Sequence, residues 1–587
     1  MAYSTTNKYP ILKIFRLLLF ASLLPVLPAA AQSSVVIQNV NIIDVETVRV
    51  IPEQTVVISD SLIQRIVSSN AKVDASGANV INGSGQYLMP GMIDTHIHFF
   101  QSGGLYTRPD AIDLRDTVSY DQAITRANQL VPDHLRRYLH LGVTTVVDVG
   151  GPFRNFTVRD SVAEQMIAPN VLVTGPLFST YQPEALTTDD APIVKVISTA
   201  AADSLFEKML PYRPDLIKVW YIVTPDFPAE ATFPIVKHIG QLAQQADLPL
   251  AVHATQLRTA RLAVEAGANI LVHSVSDSVV DDSFIELLQE RQVTYVPTLI
   301  VSKGYSNTML STLPHHPHDL RWGNPSVYGS LFDLKAYDTN ELPSGITQLR
   351  SQPEYYLRNL AKTDSVMAVN LRKLTEAGVN VAVGTDAGNI GTLHAASYRR
   401  ELEAMQKAGM STAEIIRAAT LNAATGFNRQ DQLGTVEEGK IADLLILKQN
   451  PLENLTNLDS QRYIIKSGQL LAVDTLLLET PEEVVQRQLN AYNARDIDAF
   501  LDTYADSVKL YSFPNQLTTK GKEEMRSRYA RLFENTHNLY AEIKNRIVIG
   551  NKVIDQEYVR AGDRYINAVA IYEVADGKIV RVTFVRG

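Results

Sequence analysis

The sequence predicts a multidomain chain built on a (β/α)8 (TIM) barrel, joined by a small composite β-sandwich and a C-terminal α+β domain. Three observations predict it. Through the centre of the 587-residue chain, short β-type runs alternate with helix-compatible segments. Turn-rich β-type stretches of one style stand on both sides of that centre. The last stretch, 476–587, passes from helical periodicity to four β-type runs. The length allows two or three domains. A content of 45% hydrophobic and 20% charged residues is that of a globular chain, so disordered, collagen-like and coiled-coil classes have no support.

Residues 1–31 read as a secretory signal peptide. Lys8, Lys13 and Arg16 precede an apolar run at 17–27, and Ala29, Ala30 and Ala31 provide the small residues for cleavage before Gln32. The run is short for a bilayer span and is interrupted by Pro25 and Pro28, which argues against an uncleaved anchor. The expected mature chain is therefore periplasmic or secreted, with no integral membrane segment. Losing 1–31 removes three positive charges and no negative ones, so the formal charge moves from −9 to −12. That balance disfavours nucleic acid as a partner. There is no cysteine, which excludes thiol nucleophiles, thiolate metal sites and disulfides. A metal would have to sit on imidazole, carboxylate or other oxygen donors.

Residues 32–89 and 430–475 each read as half-buried strands joined by turns, and together they are expected to form the β-sandwich. Between them, 90–429 carries eight strand-like segments, at 91–98, 142–150, 170–176, 215–220, 248–254, 268–274, 292–299 and 380–386. Helix-compatible stretches such as 120–141, 234–246 and 257–266 separate most of them, as a closed barrel requires. A doubly wound open sheet is the alternative. The interval 300–379 is too long for an ordinary crossover and reads as an insertion with helices over the barrel mouth.

The local signal with most chemistry is His96-Ile97-His98 at the end of the first barrel strand. Residues two apart leave a strand on the same face, so both imidazoles can address one metal ion. His253 ends the fifth strand, His273 the sixth and Asp386 the eighth. Side chains from separate strands meet at one point if the strands close into a barrel, at its carboxyl-end face. Lys218 lies in the apolar run Leu216-Ile217-Lys218-Val219-Trp220. It is either salt-bridged, snorkelling to the surface, or a neutral amine able to take up carbon dioxide as a carbamate that bridges two metals. Nitrogen and oxygen donors favour zinc, with manganese, nickel, cobalt and iron as alternatives.

These residues resemble the amidohydrolase superfamily, especially its prolidase-like and imidazolonepropionase-like branch. The resemblance runs through Pro90-Gly91-Met92-Ile93-Asp94-Thr95-His96-Ile97-His98, Lys218, His253, His273 and Gly384-Thr385-Asp386-Ala387-Gly388. It continues to the closing Gly439-Lys440-Ile441-Ala442-Asp443-Leu444, covering about 34–475. It implies that His96, His98 and Asp386 hold one divalent ion and His253 and His273 a second, most simply Zn2+. N6-carboxylated Lys218 would bridge the two. It further implies a metal-bridging hydroxide as nucleophile and Asp386 as general base and acid, cleaving an amide-like C–N bond in a peptide, N-acyl compound or cyclic amide. Lactone or other ester hydrolysis is the alternative, and a non-catalytic metal-containing binding protein a further one. Dipeptidase-like relatives carry tyrosine where this chain has Thr255, which weakens a simple prolidase assignment. Thr255, Tyr221, Arg154, His394 and the histidines His315, His316 and His318 are candidate contacts to a small or peptide-like substrate.

The C-terminal unit resembles the SnoaL-like and nuclear-transport-factor-2-like superfamily through 487–500, Tyr504-Ala505-Asp506, the helix start at 521–525 and the final meander. That resemblance implies a cone-shaped α+β domain and a homo-oligomer assembled across its sheet. No clear acid–base constellation stands out in it.

Overall fold

The computed structural model describes residues 34–163, 167–335, 337 and 341–586, so the expected signal peptide lies outside the described residues. No described helix is long and apolar enough to cross a membrane.

The chain enters through five strands, β1 (Val35–Asp44), β2 (Arg49–Ser59), β3 (Leu62–Ser68), β4 (Asn79–Asn82) and β5 (Tyr87–Pro90). Three parallel strands follow as one sheet: β6 (Met92–Ile97), β7 (Val143–Asp148) and β8 (Asn170–Val173). Every residue of β6 and β7 is buried, including Asp94, His96 and Asp148. Parallel strands covered on both faces read as near-continuous apolar runs, and polar residues inside such runs need a reason.

Seven further strands form a second sheet. They are β9 (Leu177–Ser179), β10 (Ile193–Lys195), β11 (Ile217–Trp220), β12 (Leu250–His253), β13 (Ile270–Val272), β14 (Thr294–Val296) and β15 (Asn380–Val381). Their order is β10-β9-β11-β12-β13-β14-β15, all parallel. Backbone hydrogen bonds cross both seams between the sheets. Thr95 N–H donates to the Val383 carbonyl and Asp386 N–H to the His96 carbonyl, at 3.0 and 2.7 Å, while Asp215 N–H donates to the Val173 carbonyl at 3.0 Å.

Helices cover these strands from outside. The helix Tyr120–His140 opens with a capping box between Ser119 and Gln122 and buries Ala123, Ala127, Val131, Leu135 and Tyr138. That spacing is the apolar stripe of a helix lying on a sheet. The insertion folds as short helices and the long helix Pro353–Glu376.

On its return the chain adds β16 (Leu444–Leu447), β17 (Gln461–Lys466) and β18 (Gln469–Ala472) to the first five strands. The expected sandwich is one branched hydrogen-bonded sheet, β18-β17-β16-β5-β1-β2-β3, with β4 beside β1. The sheet stays continuous because β5, the last strand before β6, pairs directly with β16. Val35, Ile37, Ile58, Leu88, Leu444 and Ile446 share its apolar core.

The C-terminal unit contains six strands where the sequence shows four. They are β19 (Tyr504–Ser512), β20 (Gln516–Lys520), β21 (Tyr540–Ile549), β22 (Lys552–Ala561), β23 (Arg564–Ala575) and β24 (Lys578–Arg586), in the order β20-β19-β24-β23-β22-β21. The helix Pro481–Ala494 begins with Pro at its first turn and a Thr480–Glu483 capping box. Val484 and Val485 share one apolar cluster with Val327, Tyr328, Leu331 and Phe332 of the insertion. Asn490 Nδ2 donates to the Pro325 carbonyl across the same contact, at 2.8 Å. This domain is thus seated on the insertion.

Candidate metal centre

The strand ends place the site. His96 is the fifth residue of β6, His98 lies one residue beyond it, Lys218 is within β11, His253 ends β12 and His273 follows β13. Asp386 is held against β6 by its own N–H to the His96 carbonyl. Two of these residues adopt left-handed backbone, Asp386 at φ +57° and His273 at φ +75°. Non-glycine residues persist there when the surroundings over-determine them, as at ligand-holding positions.

The side chains converge. His96 Nε2 and His98 Nε2 are 3.3 Å apart, and Asp386 Oδ1 lies 3.3 and 3.0 Å from them. The rings of His253 and His273 have centroids 4.4 Å apart, and those of His96 and His273 4.8 Å. Donor atoms of His96, His273 and Asp386 all lie within 4.8 Å of one another, a cluster able to hold a metal ion.

Protonation makes this arrangement costly without a cation. His98 Nδ1 faces the Gly150 carbonyl at 2.8 Å, and because a carbonyl only accepts, Nδ1 carries the proton and Nε2 presents a lone pair. Burial lowers both His96 and His253 to about 3, so each is neutral at physiological pH. Burial alone would raise Asp386, but His96, His98 and His273 hold it well below the ordinary carboxylate range. Asp386 Oδ1 and His96 Nδ1 are both buried without a hydrogen bond. Imidazole nitrogens and a carboxylate oxygen converging in this way, with buried atoms left unmatched, fit a divalent cation.

Lys218 is 1% exposed, and burial lowers its amine to about 7 while Asp386 pulls the other way. Among the described residues it has no hydrogen-bond or ion-pair partner.

A second layer fixes the donors. Asp94 accepts from Thr385 N and Oγ1, at 3.0 and 2.7 Å, and so anchors the turn that presents Asp386. Thr298 Oγ1 meets His273 Nδ1 at 2.8 Å. A side chain at Gly384 would strike Val296 and His96, with a Cβ 2.5 Å from Val296 Cγ1, so glycine is required for that close approach.

A model of the amidohydrolase family matches residues 87–471. The chain belongs to the amidohydrolase family. A model of the SnoaL-like domain matches 485–582. Imidazolonepropionase from Thermoanaerobacter pseudethanolicus is 41% identical over 95 residues, 16% of this chain and 21% of that protein. The match therefore spans about a fifth of that relative's length. A Xaa-Pro dipeptidase with bound methionine in its active site aligns over 75% of this chain and 100% of its own, at 21% identity and a TM-score of 0.56. Ochratoxinase of A. niger aligns over 75% of this chain and 95% of its own, at 19% identity and a TM-score of 0.55. At such identities these two structures speak for the fold alone. The family assignment makes this chain an amidohydrolase-type enzyme.

All six metal-ligand candidates of this amidohydrolase, His96, His98, Lys218, His253, His273 and Asp386, line one cavity of about 290 Å³, and Thr255 joins them. The other candidates lie elsewhere. Tyr221 is buried, and its hydroxyl donates to the Ala229 carbonyl at 2.6 Å, because an apolar helix–sheet contact encloses its ring. Arg154 lies off the cavity, where its backbone N–H donates to Asp190. His394 stacks on His134 behind the site and meets the Gln101 carbonyl through Nε2 at 3.0 Å. His315 bonds Tyr328, while His316 and His318 pair with Glu403 and Asp459. The insertion does reach the mouth, with Tyr305, Thr363 and Met367 on the cavity wall.

Sequence reasoning missed Arg108. It lines the cavity, is held by Asp110 at 2.7 and 2.8 Å, and bonds Asn389, which also accepts from Tyr305 at 2.6 Å. It sits in an aperiodic loop, and only its closeness in sequence to His98 pointed to it.

Proposed function

We propose that this amidohydrolase is a metal-dependent hydrolase that cleaves an amide-like C–N bond in a small or peptide-like molecule. One observation carries the reading: six candidate donors, brought by β6, β11, β12 and the turns after β13 and β15, face one cavity. The hydrogen bonds across both sheet seams support a closed (β/α)8 barrel, whose carboxyl-end face is where such sites lie. In this reading the barrel spans 90–429, flanked by 32–89 and 430–475, with the SnoaL-like unit at 476–587.

His96, His98 and Asp386 would hold one divalent ion and His253 and His273 a second, with Lys218 as an N6-carboxylated bridge. Zinc suits the nitrogen and oxygen donors. Ions bound there supply Lewis acidity, which lowers the pKa of water and polarises a carbonyl. Asp386 then has the proton work. Its carboxylate, kept ionised by the imidazoles around it, accepts a proton from attacking water and returns it to the departing nitrogen. Arg108, clamped by Asp110, offers a fixed cation to an anionic group of the substrate. Thr255 and Ser276 stand on the wall beside His253, where a tyrosine would reach further.

Membership of the amidohydrolase family, together with the sequence likeness to an imidazolonepropionase, supports the amide class over esters. The test is metal content of protein purified without chelators, joined to hydrolysis of dipeptides, N-acyl amino acids, cyclic amides and lactones. Stoichiometric divalent metal with turnover on C–N substrates is expected. Metal-free protein unable to bind zinc would sink the reading. We further read the chain as exported, with cleavage before Gln32. Mass spectrometry of the protein from the cell envelope should find that new N-terminus.

A further inference from the structure

The first helix of the insertion, Val301–Met309, rests on the turn that follows Asp386, backbone against backbone. A Cβ at Gly304 would lie 2.8 Å from the Ile390 carbonyl oxygen, and one at Gly391 would lie 2.7 Å from the Gly304 carbonyl oxygen. No side-chain carbon fits at such distances, so the approach depends on glycine on both sides.

A chain of hydrogen bonds runs through the same contact. The Tyr305 hydroxyl donates to Asn389 Oδ1 at 2.6 Å, and Arg108 Nη1 donates to the same oxygen. A guanidinium can only donate, so this atom is the amide oxygen and the amide nitrogen faces the other way. That nitrogen, Nδ2, donates to the Asp386 carbonyl at 3.0 Å. Burial raises the Tyr305 phenol above its ordinary value, which keeps it a donor. Asp386 itself sits at φ +57°, a conformation that persists only with support from its surroundings. A second helix of the insertion, Pro317–Trp322, reaches the turn through Arg400. Its Nη1 donates to Asp319 Oδ2 at 2.9 Å and to the Gly391 carbonyl at 3.0 Å.

We propose that the insertion is a clamp on the Asp386 turn, with Gly304, Tyr305 and Asn389 as its positioning residues. Gly304 lets the helix close on the turn, Tyr305 ties the helix to Asn389, and Asn389 passes the hold to the Asp386 carbonyl. The clamp bears on turnover through the proton transfer proposed for Asp386, and its catalytic part rests on that reading. Tyr305 and Asn389 also line the cavity, whereas Gly304 does not. Gly304 therefore separates positioning from contact with substrate.

The test compares Gly304→Ala and Tyr305→Phe with the unaltered full chain. Alanine is a better helix former than glycine, so Gly304→Ala spares the helix while its Cβ pushes it off the turn. In metal-free protein the hydrogen-bonded amides of Gly388, Gly391 and Thr392 should exchange about tenfold faster in both variants. Zinc affinity, from competition with a chromogenic chelator, should fall about tenfold. On a C–N substrate that the unaltered enzyme hydrolyses, kcat should fall about tenfold while KM stays within about twofold, because a misplaced reacting group acts on the chemical step. Hydrogen exchange needs no turnover: a chain that hydrolyses nothing would sink the proposed function, and exchange would still decide the clamp. Unchanged exchange in both variants would overturn the clamp. So would a raised KM at unchanged kcat, which marks contact with substrate in place of positioning.

Discussion

The cavity lined by the metal-ligand candidates and the cavity of the C-terminal domain both carry buried carboxyl groups, yet their walls differ in kind. In the first, imidazoles of four histidines converge on Asp386, and burial lowers the pKa of His96, His253 and His273. Such a donor set suits a divalent cation. In the second, the one acidic residue on the wall, Glu557, is bonded to Tyr572, and aliphatic and aromatic side chains share the rest with three arginines. The backbone agrees with the contrast: left-handed residues hold Asp386 and His273, whereas Glu557 sits within an ordinary antiparallel strand. A metal site demands donor positions fixed to tenths of an ångström, and a wall of packed side chains demands only shape.

The largest expected effect that tests this contrast is Asp386→Asn. The amide keeps the size of the carboxylate but cannot take up a proton, so turnover should fall about a thousandfold or more. A variant with near-normal turnover would remove Asp386 from the proton-transfer role. Next in size is Thr298→Val, which deletes the hydroxyl beside His273 Nδ1. Loss of such a supporting contact lowers metal affinity about tenfold or more, measurable by competition with a chromogenic chelator. An unchanged affinity would mean that packing alone orients His273.

The first cavity was far more legible in the sequence than the second, for a physical reason. The candidate metal ligands stand in or beside apolar strand runs, so His96, His98, His253, His273 and Lys218 are visible as polar residues where none is expected. Their strand positions also predicted the parallel sheets. Arg108 was invisible because its loop has no period and its partners, Asp110 and Asn389, are 2 and 281 residues away. Tyr221 and His394 misled because an aromatic or imidazole near a ligand in sequence can face the opposite side of its element. In the C-terminal domain, Glu557 and Tyr572 alternate with ordinary strand residues on neighbouring strands. Their contact depends on the β22–β23 register, which pairs Tyr572 with Val553 and sets Glu557 further along. The strands β19 and β20 were missed because Tyr504–Ser512 carries Asp506, Ser507 and Lys509 among its apolar residues.

Two smaller effects sharpen the reading of the second cavity. Glu557 in the folded state titrates near 7, above its ordinary 4.5. The folded state therefore binds this proton more tightly than the unfolded chain does. The resulting stabilisation is complete below the unfolded value and is lost as pH rises through about 7. Glu557→Gln removes that dependence, so its denaturation midpoint should vary less with pH between about 5 and 7 than that of the unaltered protein. Equal pH dependence would show that Arg546 and Arg586 already compensate the charge.

The smallest effect concerns how the cavity-bearing domain is held. Asn490 Nδ2 donates to the Pro325 carbonyl, and both groups are buried where the helix Pro481–Ala494 meets the insertion. Asn490→Ala leaves that carbonyl without this donor and should destabilise the chain by about 1 kcal/mol, read from urea denaturation. The same insertion carries Tyr305 and Met367 on the cavity that the metal-ligand candidates line. If the two cavities are mechanically separate, turnover in Asn490→Ala should match the unaltered enzyme once both are fully folded. A raised KM in folded protein would instead show that the SnoaL-like domain steadies the insertion over the cavity lined by His96, His273 and Asp386.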